Sequence, residues 1–262
     1  MTFNEYLLDN RAPAAERRFG ALSALFDDIT FRHVDALGIQ RGWRCWEVGA
    51  GGPSVPNRLA DRVGPDGHVL ATDIDTSWID GVAPNVEVQR HDIAHDDPPA
   101  GVFDLIHARL VLIWIPERDE ALRRMAGALR PGGWLLIEDF DSELQSAAYI
   151  DAHLPDHYNA NKLRAGFGAL MAQRGADPAY GRKLPRLLTE QGLADVAADA
   201  YMPVSLPAVG ALDLSNFGQL HDALLAQGLA TAEEIHGHRA AVDRGIGWAS
   251  PPLISAWGRK PS

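Results

Sequence analysis

Short apolar segments alternate with segments of helical spacing across the middle of this chain, and that alternation limits the fold more than any other feature. Arg44 to Val48, His68 to Asp73, Asn85 to Arg90, Phe103 to Ala108 and Trp134 to Glu138 each read as a strand. Between the first two, Val55, Leu59 and Val63 recur every four residues, a helix face closed by Gly64. Leu122, Met125, Ala126 and Leu129 mark another helix, stopped by Arg130-Pro131-Gly132-Gly133. Strands joined through helices predict a parallel sheet covered on both faces, with right-handed crossovers. Upstream, Ala15, Phe19, Leu22, Leu25 and Phe26 predict a helix over 14–27, and a second helix is expected over Phe31 to Leu37, ending at Gly38. Downstream, 142–192 reads as helical, a sixth strand opens at Gly192 and runs toward Val204, 212–244 is helical again, and Leu253 to Gly258 is a terminal strand.

In such a sheet ligands bind beyond the strand carboxyl ends, where the strand order reverses. Glu47-Val48-Gly49-Ala50-Gly51-Gly52-Pro53 lies at such an end and runs into a helix. Glycines there admit close backbone approach, and the helix start offers amide groups to polar atoms. A dinucleotide site would take G-x-G-x-x-G, but the third position is Ser54. S-adenosylmethionine (SAM) carries no pyrophosphate, and needs a shallow turn plus an acidic residue on its ribose. Asp73 ends the second strand and suits that role, while Asp75-Thr76-Ser77-Trp78 reads as the cap of a following helix.

Together these segments resemble class I SAM-dependent methyltransferases, of the group that includes ubiquinone/menaquinone-biosynthesis and small-molecule enzymes. The family's acidic-x-G-x-G-x-G motif corresponds to Glu47, Gly49 and Gly51, with Pro53 in place of its last glycine. Asp73 matches the ribose ligand, Asp92 the residue meeting the adenine amine, and Ile93 would flank the ring. Ala50, Ile74, His107, Ala108 and Arg109 complete the cofactor residues the resemblance implies. Tyr6 and Arg18 resemble lid residues that close over the methionine end, although an ordinary amphipathic surface helix accounts for each of them singly. The implied fold is α/β and Rossmann-like: a seven-stranded sheet whose last strand runs antiparallel between the fifth and sixth. The expected division is N-terminal lid helices over 1–40, a SAM-binding core over 41–141 and 193–262, and a helical substrate cap over 142–192.

Methyl transfer from a sulfonium is an in-line displacement, so the protein supplies alignment, water exclusion and, for an O–H or N–H acceptor, a base. His107, Arg109, Glu138 and Asp139 are candidates by their place at the strand ends. His107 reads also as a packed or backbone-bonded residue that supports the cofactor, and Asp139 as a base, a substrate ligand or a helix cap. In the cap segment, which holds His153, His157, Tyr158 and Asn159, His157 is the preferred base. His91-Asp92 with His95-Asp96-Asp97 has metal-like spacing, but Asp92 is better used on adenine, and no metal is expected.

The expected activity is methyl transfer from SAM, with S-adenosylhomocysteine as product, to O or N of a small organic molecule in secondary metabolism. The rivals are a SAM-binding scaffold without transfer, such as a cyclase or binding protein, an NAD-dependent oxidoreductase, and a methyltransferase acting on protein or RNA. With 35 acidic against 24 basic residues the net charge is −11, and no Lys/Arg run exceeds a pair, which argues against a nucleic-acid partner. The longest apolar run, Leu110 to Ile115, is far short of the roughly 20 residues that span a bilayer, so no membrane partner is expected. One cysteine, Cys45, excludes an intrachain disulfide. The N-terminus shows no basic-then-apolar leader, and a cytoplasmic location is expected. A homodimer is left open.

Overall fold

The computed structural model describes residues 7–8, 14–99, 102–144 and 152–262. In chain order the elements are α1 (Ala14–Ala36), β1 (Arg44–Val48), α2 (Ser54–Val63), β2 (His68–Asp73), β3 (Val86–Arg90), β4 (Phe103–Arg109), α3 (Arg118–Ala128), β5 (Leu129–Phe140), α4 (Pro155–Gln173), α5 (Tyr180–Glu190), β6 (Ala194–Tyr201), α6 (Pro207–Ala226), α7 (Ala232–Asp243) and β7 (Leu253–Arg259). The seven strands form one sheet ordered β3-β2-β1-β4-β5-β7-β6. β1 to β5 pair in parallel, and β7 is antiparallel to both β5 and β6. This is the Rossmann-like sheet that the resemblance implies.

The period of two along each strand sorts side chains between the two faces. Cys45, Val69, Leu105 and Leu136 pack on one face against Phe31 and Val34 of α1 and Val55, Leu59 and Val63 of α2. Trp46, Leu70, Ile106 and Leu135 face the other way, into a cluster with Leu122 of α3, Leu163 of α4 and Leu184 of α5. The central strands are buried on both faces, and the one polar atom of Trp46 is satisfied: its indole N–H donates to Thr72 Oγ1 at 2.9 Å.

Three local expectations change. The two N-terminal helices are one helix of 23 residues. The weak helix formers between them, Asp27, Asp28 and Thr30, do not break the helix because each has a tertiary partner: Arg109, Arg58 and Glu138 respectively. The helix expected after Asp75 is absent, and 74–85 is turns and irregular chain. Asp75 Oδ1 instead accepts from Ser77 N at 3.1 Å, a local turn, and Gly81 and Pro84 leave no room for a helix to propagate. β5 begins at Leu129, directly after α3, rather than at Trp134.

The helices on either side of the expected core–cap boundary meet surfaces that the sequence did not specify. α5, assigned to the cap, packs on β5, β6 and β7 of the sheet. α6 and α7, assigned to the core, pack on α4, and α6 lies along α1. Hydrophobic spacing shows that a helix buries a face, not which surface it meets. Gly181 holds α5 against the sheet: a Cβ there would lie 2.6 Å from the Asp139 carbonyl oxygen and 2.8 Å from Ile254. Gly181→Ala should therefore cost about 1–3 kcal/mol by overpacking. Thermal melts of the two proteins check this, and an unchanged melting temperature would refute it.

Candidate functional site

The first turn after β1 is set by two glycines in the left-handed region, Gly49 (φ +65°) and Gly51 (φ +63°). Both are also tightly covered. A Cβ at Gly49 would lie 2.3 Å from Val111 Cγ2, and one at Gly51 2.8 Å from the Phe19 ring. Asp73, at the end of neighbouring β2, locks the turn: its Oδ2 accepts from Gly51 N at 2.9 Å and its Oδ1 from Asp75 N at 3.0 Å. Burial pushes the Asp73 carboxyl up, and the N–H groups of Asp75 and Gly51 oppose that push. Where a dinucleotide fold would carry its third glycine, the Ser54 hydroxyl donates to Asp27 of α1.

The turn floors a cavity of about 890 Å³ at the carboxyl ends of β1, β2, β4 and β5. Of the predicted cofactor residues, Arg18, Glu47, Gly49, Ala50, Gly51, Asp73, Ile74, Asp92, Ile93 and Arg109 line it. His107 and Ala108 do not; both are buried inside the sheet. Their positions on β4 are right, but the cavity begins one residue later, at Arg109. Leu110 turns the chain there with φ +57°, its N–H donating to Glu138 O at 2.8 Å. Tyr6 lies outside the described residues.

Of the five catalytic candidates, Arg109 lines the cavity, while His107, Glu138, Asp139 and His157 do not. His157 is 2% exposed, and its Nδ1 accepts from the backbone N–H groups of His153 and Leu154 at 3.3 and 3.4 Å. Its ring also packs edge-on against Trp248. It caps the start of α4 and braces the cap interior. Asp139 is buried, accepts from Ile113 N at 3.3 Å, and has its carboxyl pushed well up by burial. His107 is wholly buried between Glu47 and Glu138. The histidines of the acidic loop are engaged locally, His91 with the Asp97 carbonyl and His95 with Asp92. Among the described residues, no group of three His, Cys, Asp or Glu side chains is placed to hold a metal ion.

The roof was the part least legible in the sequence. Phe167 and Met171 of α4, Val209 and Leu212 of α6, and Trp114 and Phe140 from the β4 and β5 ends line the cavity above the turn. Leu110, Val111, Ile113 and Trp114, from the longest apolar run, line it as well. Arg164 and Asp213 join the roof together: Arg164 Nη2 lies 3.0 Å from both Asp213 oxygens, while Nη1 donates to Ala249 O. That contact ties α4, α6 and the approach to β7 into one cover. The hydrophobic periods of α4 and α6 carried no signal separating core-facing from cavity-facing positions.

A sheet of this order, with a glycine turn and an acidic strand end at its switch point, defines a Rossmann-like nucleoside-cofactor fold. A family model described as a methyltransferase domain matches residues 15–198, and the chain belongs to that family. Methyltransferase str2 of Strobilurus tenacellus is 33% identical over 165 residues, covering 61% of this chain and 57% of that protein. The ubiquinone/menaquinone biosynthesis C-methyltransferase UbiE of Pseudomonas putida (strain GB-1) is 30% identical over 128 residues, 44% of this chain and 50% of that one. The chain thus spans about half the length of these relatives. A Haemonchus contortus phosphoethanolamine N-methyltransferase 2, solved with SAM, shares the fold at TM-score 0.54 and 13% identity, over 94% of this chain and 53% of that one. A Bacillus halodurans protein described as a putative methyltransferase does so at TM-score 0.55 and 16% identity, over 87% and 97%. Among the described residues, no helix is long and apolar enough to cross a membrane.

Proposed function

We propose that this chain is a SAM-dependent methyltransferase that transfers a methyl group to an O or N atom of a small, largely apolar molecule, in a biosynthetic setting. The observation that carries the reading is a single cavity continuous from the glycine turn to an apolar roof. The donor residues fit SAM. The turn is held open by glycines whose added Cβ would collide, and Glu47, Asp73 and Asp92 make the floor acidic toward a cationic ligand. Asp73 would take the ribose hydroxyls, Asp92 and Ile93 the adenine, and the turn amides the amino-acid end. When bound, SAM supplies an activated methyl group.

The chain's own work is then alignment and water exclusion. Phe167, Met171, Leu212 and Trp114 offer apolar surface to an acceptor above the donor, and the Arg164–Asp213 contact holds the cover shut. With His107, Asp139 and His157 outside the wall, the proposal rests on orientation rather than on any of those three as base. Calorimetric titration with S-adenosylhomocysteine tests the donor half, with binding at tens of micromolar or tighter expected. Mass spectrometry of reactions with small hydroxylated and amino acceptors tests transfer. Absence of binding would overturn the donor reading. Binding with unmethylated acceptors, across a panel that includes apolar phenols and amines, would favour a scaffold that no longer transfers.

A further inference from the structure

Glu47 on β1, His107 on β4 and Glu138 on β5 occupy one face of three adjacent strands, the face α1 covers. Register explains the meeting: Glu47 pairs directly with His107, and Glu138 is level with Arg109 on one side and Ser255 of β7 on the other. His107 Nδ1 lies 2.6 Å from Glu47 Oε2, and its Nε2 3.2 Å from Glu138 Oε2. Both ring nitrogens thus face carboxylate oxygens. A neutral imidazole has one N–H and one lone pair, so it would turn a lone pair on one carboxylate; only the imidazolium satisfies both.

The two carboxylates differ in their support. Glu138 also accepts from Ser255 Oγ at 2.6 Å and from Thr30 Oγ1, and His33 Nδ1 lies 3.4 Å from its Oε1. Arg109 reaches Thr30 at 2.9 Å and Asp27 at 2.8 Å, placing its positive charge beside the cluster. Among the described residues, His107 is the one side chain hydrogen-bonded to Glu47, through Oε2, none takes its Oε1, and Arg109 acts on it through charge alone. Yet Glu47 is the member of the cluster that lines the cavity, next to the glycine turn. Burial pushes its carboxyl up and the His107 charge opposes this.

We propose that His107 is a positioning residue for the cofactor: an imidazolium clamped between two carboxylates, it fixes the free oxygen of Glu47 at the head of the cavity for a cationic group of the ligand. His107 does not touch the ligand and has no lone pair with which to act as a base. It works through Glu47 alone. The inference rests on the reading of the cavity as a SAM site, and gives a role to a buried group that the transfer reaction does not use directly.

A double-mutant cycle on the full chain tests it, with calorimetric affinity for S-adenosylhomocysteine as readout. His107→Gln should weaken binding about tenfold in the otherwise unchanged protein, yet by less than about twofold once Glu47→Gln is present. Equal losses in both backgrounds would mean that His107 acts by general packing, and wild-type affinity in His107→Gln would mean that it does not act at all; either overturns the proposal. A measurement on the unmutated protein covers failure of the variants to fold. In ¹⁵N-histidine spectra near neutral pH the His107 ring should show both nitrogens protonated, and a neutral ring would overturn the clamp. If the unmutated protein binds no S-adenosylhomocysteine, the cofactor reading fails instead, and the ring spectrum still reports on the clamp.

Discussion

Asp73→Ala will weaken binding of S-adenosylhomocysteine by at least about a hundredfold. Two effects add. The carboxylate is the acceptor for the backbone N–H groups of Gly51 and Asp75, and a buried N–H left without a partner costs about 1–3 kcal/mol. Without that hold, the left-handed turn at Gly51 loses the contact that pins it to β2. The same carboxylate is the proposed ribose acceptor, so the ligand loses its own hydrogen bonds as well. Two ribose hydrogen bonds to a charged acceptor, at about 1.5–3 kcal/mol each, amount to a hundredfold or more at about 1.4 kcal/mol per tenfold. Asp73→Asn keeps one oxygen and should fall between. Because burial already raises the Asp73 carboxyl, affinity in the unmutated protein should decline on acidification sooner than an exposed aspartate would allow. Calorimetry beside circular dichroism, to confirm folding, decides it; an Asp73→Ala protein of undiminished affinity would sink the assignment of this cavity.

Glu138→Ala should have the largest effect on stability, a loss of about 3–5 kcal/mol, because it removes one partner from a buried ionic cluster. His107, Ser255 and Thr30 all lose an acceptor in one step. In a chain of this size that corresponds to a fall in melting temperature of roughly 10 °C. The pH dependence carries a sign that can be checked. Burial pulls the His107 imidazole down, but Glu47 and Glu138 outweigh it and raise its pKa to about 9, above its ordinary 6.5. Its contribution to stability is therefore complete below about pH 6.5 and is lost as the pH rises through about 9. Glu138 is opposite: despite burial, His107, His33 and Arg109 hold its carboxyl well below the ordinary 4.5, so its contribution is complete above that value and lost in acid. Stability of the unmutated protein should form a plateau between these limits, and Glu138→Ala should flatten both edges. Melts across pH test this, and two proteins with parallel profiles would contradict the coupling.

The glycine turn, the acidic end of β2 and the five parallel strands were legible because each is a local matter. Strand alternation needs only neighbouring residues, and a turn with φ > 0 at Gly49 and Gly51 needs glycine. Ten of the thirteen residues expected around the cofactor line the cavity, and all but Arg18 of α1 do so because they sit at fixed short distances from strand ends. The surroundings of His107 and His157 were not legible, because a histidine near a site says nothing about what its ring nitrogens meet. The nitrogens of His107 meet side chains 60 and 31 residues away, and Nδ1 of His157 meets its own helix start.

The sequence by itself determined the sheet, its order through family resemblance, and the polarity of the turn, since those follow from periodicity, glycine stereochemistry and short spacing. The tertiary structure decided the rest. It kept α1 in one piece by giving Asp27, Asp28 and Thr30 distant partners, moved α5 onto the sheet, and placed α6 and α7 over α4 as part of the roof. It also gathered Glu47, His107 and Glu138 into one buried cluster. Each of these depends on strand register and on which helix meets which surface, and an apolar stripe that packs equally well against a sheet or another helix leaves that choice to the assembled molecule.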